Sequence, residues 1–246
     1  MTPQSPLSEE LRLHWLLHEI DEQAFAHELV LSKHPELRRA QQARIASTRA
    51  ALSALDGRLA ESAKRRRTLD GEIAAFDAQQ KHFEKQLLAV TNQHQFEAAQ
   101  HEIAAVRAKR DVLETELLER LDADERETAA RPEKAHAFER AEAEGAALFA
   151  KLDAVAASLR AELSALDARR DHASGRLEPA ARTRYLKLRA LRGGRAIAAV
   201  TSGACGGCHS GLPPHALQEL RRAEKLLSCD GCGRLLMVPP QNSATA

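Results

Sequence analysis

From Leu52 to Val90 the chain places apolar side chains at alternating steps of three and four. The positions are Leu52, Leu55, Leu59, Ser62, Arg66, Leu69, Ile73, Phe76, Gln80, Phe83, Leu87 and Val90, and nine of these twelve are apolar. A repeat of 3.5 residues sustained over five heptads keeps one stripe of a helix facing a partner helix. Aromatic residues make up 3% of the chain and charged residues 29%, too polar for a broad globular core but suited to a narrow helical seam.

A second periodic run starts at Phe96 and passes through Ala99, Ile103, Val106, Arg110, Leu113 and Leu117. It fades between Asp122 and Pro132, then resumes at Phe138, Ala141, Gly145, Leu148, Leu152, Val155 and Leu159. Successive steps of four, Val155 to Leu159 to Leu163, predict a stutter that relaxes the supercoil. Pro132 predicts a kink or break there. Between the runs lies Thr91-Asn92-Gln93-His94, a link so short that the two helices must fold back on each other. Leu7 to Leu31 reads as a separate shorter helix ended by Pro35, and Pro179 suits the first turn of a helix running to Arg192. Histidines 14 and 18, four apart, could share a metal but have no evident third ligand. Trp15 and Phe25 are expected to pack the first helix against the base of the hairpin.

After Gly193-Gly194 the composition changes. Cys205-Gly206-Gly207-Cys208 is followed twenty residues later by Cys229-Asp230-Gly231-Cys232. Two residues between cysteines let a tight turn aim both sulfurs at one ion, and two such turns supply a closed tetrahedron of four thiolates. The expectation is one structural zinc ion held by Cys205, Cys208, Cys229 and Cys232, with no open position for catalytic water. Ile197–Thr201, Lys225–Ser228 and Leu235–Val238 are the expected ribbon strands.

The fold class is therefore mainly α: a long antiparallel coiled-coil hairpin followed by a small β zinc ribbon. The expected divisions are residues 1–178 for the first helix and hairpin, 179–195 for a linking helix, 196–240 for the ribbon and 241–246 for a disordered tail.

From Arg176 onward eleven Lys or Arg face four Asp or Glu, a surplus of seven in a chain whose net charge is +1. Arg182, Arg189, Arg221, Arg222 and Arg234 are the candidate contacts for a phosphate backbone or an acidic protein. Lys64-Arg65-Arg66-Arg67, inside the first long helix, reads better as a solvated charged face than as a nucleic-acid patch. Phosphate-binding glycine loops, nucleophile elbows and metalloprotease His pairs are absent from the sequence, so no enzymatic activity is expected. With no membrane-length apolar run and no signal-peptide pattern, a cytoplasmic location is expected.

The segments Arg184-Tyr185-Leu186, Gly194-Arg195-Ala196-Ile197, Cys205 through His209, Leu212-Pro213-Pro214 and Cys229 through Leu236 resemble the bacterial four-cysteine zinc-ribbon, coiled-coil hairpin proteins. Thr91-Asn92-Gln93-His94-Gln95-Phe96-Glu97-Ala98 resembles that family's hairpin turn, with Gln95 where Glu is usual and Phe96 where Tyr is common. The resemblance implies a non-enzymatic adaptor or chaperone. Members in flagellated bacteria escort the alternative sigma factor of flagellar genes and bind a flagellin messenger RNA, and a relative in an intracellular pathogen is tied to type III secretion. The implied partner is a protein such as an alternative sigma factor or a secretion or flagellar component. The alternative is a nucleic-acid-binding regulator, RNA or DNA, acting through the basic end; self-association into a homodimer stays open. A polymerase secondary-channel factor also joins a hairpin to a four-cysteine module, but the tip here lacks the carboxylate such a factor uses.

Overall fold

The computed structural model describes residues 6–222 and 226–239. Two helices of 83 residues each, α1 (Pro6–Leu88) and α2 (Gln93–Gly175), form the hairpin. They are followed by α3 (Pro179–Leu191), β1 (Ile197–Thr201), β2 (Ala204–Cys205), α4 (Pro214–Arg222), β3 (Leu227–Ser228) and β4 (Leu235–Met237). The chain divides into two compact units, one formed by Arg38–Phe149 and the other by Met1–Leu37 with Ala150–Ala246.

All twelve seam positions from Leu52 to Val90 are shielded, with Leu55 and Leu69 fully buried. The expected break at Pro35 does not occur: α1 runs through it. The shielded positions continue upstream at Thr48, Ile45, Gln41, Arg38, His34, Leu31, His27 and Ala24, still three and four apart. Most of these are polar, which hides the repeat from a hydrophobicity reading. Pro35 is exposed and off this stripe, where water can satisfy the carbonyl left without its amide donor. Likewise α2 continues through the exposed Pro132.

Within Arg38–Phe149 the pairing is antiparallel and written in charge. Glu84 meets Arg107, Asp77 meets Arg110, Arg65 meets Glu116, Arg58 meets Glu127, Asp56 meets Arg131 and Arg44 meets Glu144. Each step back along α1 is matched by a step forward along α2. The basic run is part of this lock: Arg65 forks onto Glu116 at 3.0 and 2.7 Å, and Arg66 lies 3.1 Å from Asp124. At the tip the loop is Ala89 to Asn92, so Gln93 and His94 are helical rather than part of the turn. The Asn92 side chain sets this start by accepting the Gln95 amide at 2.9 Å.

Along α2 the stutter comes earlier than expected. Ala156 is buried and Val155 is 43% exposed, so the consecutive steps of four run Leu148, Leu152, Ala156. The small side chain takes the seam and the larger one is left outside. The stripe then continues through Leu166, Arg170, Ala173 and Leu177.

The four strands form one sheet in the order β2-β1-β4-β3, with β1 and β4 parallel and the outer pairs antiparallel. Ile197, Leu235 and Met237 pack with Leu13, Leu17, Ala173, Leu177 and Tyr185 from the helices. Ala198 and Leu236 pack with Cys205, Cys229, Cys232 and Leu220 on the opposite face. Successive side chains point to opposite faces, and both faces are covered, so β1 and β4 read as continuous apolar runs. Strand β2 and helix α4 were not expected. Lys225 and the tail 241–246 lie outside the described residues.

Candidate metal centre

The two cysteine pairs are built as two copies of one turn. In the first, the His209 amide donates to the Cys205 carbonyl at 2.8 Å and the Cys205 amide to the Ser210 carbonyl at 3.0 Å. In the second, Gly233 donates to Cys229 at 2.7 Å and Cys229 to Arg234 at 2.9 Å. The residue after each second cysteine has positive φ, 62° at His209 and 73° at Gly233. The glycines between the first two cysteines serve close approach instead. A Cβ on Gly206 would stand 2.5 Å from the Ala199 carbonyl oxygen, which the Gly206 amide contacts at 2.9 Å.

Cys205 Sγ lies 3.8 Å from Cys232 Sγ, and Cys208 Sγ lies 3.6 Å from Cys229 Sγ. All four sulfurs fall within 4.8 Å of one another, and none is in a disulfide. A tetrahedron with sulfur ~2.3 Å from its centre has edges of about 3.8 Å, so the set fits one zinc ion. Burial pushes the Cys205 thiol up to about 12 and raises Cys229, while the Ser210 hydroxyl, 3.4 Å away, holds Cys208 down at about 6. A buried thiolate needs a cation to offset its lost hydration, and a divalent ion at the centre of the four sulfurs supplies it. The Gly207 amide, 3.4 Å from Cys205 Sγ, adds a fixed dipole toward the same sulfur.

The module sits on a buried polar knot. The Asp21 side chain is 1% exposed and accepts hydrogen bonds from Arg170 Nε and Tyr185 Oη, each at 2.9 Å; Arg189 Nε stands 3.4 Å away. Asp21, Arg170 and Tyr185 come from α1, α2 and α3. Nothing in the local sequence around any of them marks this meeting. Burial pushes the Asp21 carboxyl above its usual range, against the pull of Tyr185 and Arg170.

The candidate contact residues separate into two groups. Arg182, Arg221 and Arg222 are exposed and have no anionic partner among the described residues. Arg189 is engaged with Asp21. Arg234 lies across Gly207 and donates to the Arg195 carbonyl at 2.9 Å and the Arg192 carbonyl at 3.0 Å, tying the second knuckle to the linker before β1. Sequence reading did not single out Lys187 or Arg192, which are also exposed and unpaired among the described residues. His14 is buried with Nδ1 2.9 Å from the Glu10 carbonyl, and His18 rests on Trp15. Phe25 lies under the Arg195 guanidinium at 4.0 Å. Among the described residues, the four cysteines form the one cluster of three or more metal-type ligands.

Residues 204–236 match the family model of the C4-type zinc ribbon domain. No curated protein sequence matches the chain. Among solved structures, CT398 from Chlamydia trachomatis is similar with a TM-score of 0.79 at 19% identity, over 96% of this chain and 100% of that one. HP0958 from Helicobacter pylori gives 0.61 at 13% identity, over 94% and 97%. A Mycobacterium smegmatis protein gives 0.57 at 21% identity, over 93% and 98%. These likenesses establish the fold: a helical hairpin carrying a C-terminal C4-type zinc ribbon. No helix among the described residues is long and apolar enough to cross a membrane.

Proposed function

We propose that this hairpin protein with its C4-type zinc ribbon is a non-enzymatic cytoplasmic adaptor or chaperone that binds a protein partner. One observation carries the reading. The ribbon sheet is covered on both faces, by zinc ligands on one side and helices on the other, while α3 turns outward leucines and cations that are unpaired among the described residues. Four cysteines fill every position of a tetrahedral zinc, so the metal's work is to stiffen a small module. A stiff platform presents its surface without ordering cost, which favours binding. The chemistry suits an acidic protein surface; an alternative sigma factor or a secretion component, as the family resemblance implies, is of the right class.

A nucleic-acid regulator is the second reading, favoured by Arg221 and Arg222 in the last turn of α4. Affinity copurification from the native cytoplasm, with and without nuclease, separates the two. The adaptor reading expects a nuclease-resistant protein partner that is lost with Cys229→Ser. Nuclease-sensitive RNA or DNA with no stable protein partner would replace it with the second reading.

A further inference from the structure

Among the described residues, helix α3 is held on one side and unpartnered on the other. Tyr185 is fully buried, Leu188 and Ala181 pack against the same cluster, and Arg184 donates to the Ser228 hydroxyl. Outward stand Leu186 at 44% exposure and Leu191 at 64%, with Arg182, Lys187 and Arg192 beside them. Arg182 and Leu186 are four apart, as are Lys187 and Leu191, so each leucine has a cation one turn away on its own face. A nucleic acid would use the cations and leave the leucines wet. A helix with leucines and carboxylates would use both.

The chain itself carries such a surface. On α2, Leu118 is 66% exposed and Leu121 is 40% exposed, three residues apart on one face. Leu121 borders a shallow open groove of about 700 Å³ with Asp122, Asp124, Glu125, Thr128, Ala129 and Arg66. Nearby arginines are already engaged: Arg65 and Arg120 with Glu116, Arg66 with Asp124, Arg126 with Asp122. Glu125, four residues after Leu121 on the same face, has no cation among the described residues. Among the described residues, one surface thus offers leucines with unpaired cations, the other leucines flanked by the carboxylates of Asp122 and Glu125, the second of them unpaired.

We infer that the chain associates with a second copy of itself, the outward face of α3 in one copy docking on the Leu118–Leu121 face of α2 in the other. The contact is heterologous, since two different patches meet, and it builds larger assemblies unless a rotation closes it. It stands apart from the adaptor reading, because copurified partners test that reading and purified protein tests this one.

The probe is the zinc-loaded full chain alone, followed by sedimentation velocity. An interface this small lies at the weak end of specific contacts, so the expected Kd is on the order of 100 µM at low salt. It should weaken several-fold when ionic strength rises from ~0.05 to ~0.5 M, where screening shortens to about 4 Å. Two charge-reversed variants decide the matter. The first carries Arg182→Glu and Lys187→Glu; the second carries Asp122→Lys and Glu125→Lys. Each alone should lose self-association by at least ten-fold, because its two patches now repel. Mixed together they should associate, since the acidic α3 of the first meets the basic α2 of the second. All four positions are on the surface, and unchanged helicity and zinc content confirm that both variants fold. A chain that stays monomeric at all concentrations, variants that associate undiminished, or a mixture that fails to recover association would each overturn the inference.

Discussion

Replacing Asp21 by alanine should be the most damaging single change available outside the zinc ligands. The substitution leaves the Arg170 guanidinium, 5% exposed, without its buried counter-ion, and the Tyr185 hydroxyl, on a fully buried residue, without its acceptor. Removing one partner of a buried ion pair costs roughly 3–5 kcal/mol, and orphaning a buried hydroxyl costs roughly 1–3. The two do not add, because both groups can turn to the same entering water. Arg170 also keeps a bond to Asp167, whose side chain is 63% exposed, and that places the total near the lower bound, about 3 kcal/mol. Asp21→Asn keeps an acceptor and should cost about half as much. Trp15 is the one tryptophan of the chain and packs against the same cluster as Tyr185, so its fluorescence in a urea titration reports this unit specifically. The decisive comparison is the double variant Asp21→Leu with Arg170→Met. Apolar replacement of a whole buried pair is often close to neutral, so the double variant should recover about 2 kcal/mol relative to Asp21→Ala. If Asp21→Ala shifts the Trp15 transition by less than about 1 kcal/mol, or the double variant is no better than the single, then the knot is not a buried ion pair in the energetic sense.

A strong chelator should unfold the ribbon while leaving the hairpin helical, so proteolytic resistance after Gly194 should be lost with little change at 222 nm; a chelated ribbon that stays protease-resistant would mean zinc is dispensable for its folding. His209→Gly should strengthen zinc retention about two- to five-fold, because the left-handed φ of 62° costs a histidine roughly 1 kcal/mol that glycine avoids. Gly206→Ala should do the reverse, since its Cβ meets a backbone carbonyl that cannot swing aside; competition with a colorimetric chelator ranks all three proteins. Glu116, held down at about 2 by the Arg65 and Arg120 guanidiniums, has a folded pKa below its ordinary 4.5, so its contribution is present above 4.5 and lost as pH falls toward 2. The thermal midpoint of the hairpin should therefore drop over that window, and Glu116→Gln should blunt the drop; an identical acid profile in the variant would show that the pair contributes nothing.

The zinc ligands were legible because ligand geometry is local: two residues between cysteines fix where the sulfurs go, whatever surrounds them. The seam from Leu52 to Val90 was legible because it is apolar. The same seam from Ala24 to Thr48 was not, since His27, His34, Arg38 and Gln41 occupy positions that a hydrophobic template scores as solvent. Pro35 then looked like a boundary when it merely sits on the outer face. Val155 and Ala156 show the complementary failure, where choosing the larger apolar residue puts the stutter one step late. Asp21 and Arg170 are 149 residues apart, and each reads as an ordinary charge on a polar helix. Only their tertiary meeting gives either a role, and spacing within one helix carries no trace of it. Strand β2 has two residues, too few for any period to register.

The polar seam also bears on what the hairpin is for. Exposed ion pairs contribute little stability each, a median of about 0–1 kcal/mol, yet a pairing slipped by one heptad would set like charges together. Arg58, Arg65 and Arg66 against Glu127, Glu116 and Asp124 therefore specify register more than they add strength. Around Asp122 to Pro132, where charge replaces leucine, the two arms are held in register without a continuous apolar seam. Opposite this stretch Leu55 of α1 stays fully buried and Leu59 shielded, so charge selects the alignment while apolar side chains of one arm supply the cohesion. A helical surface specified in this way is compatible with the adaptor reading proposed above.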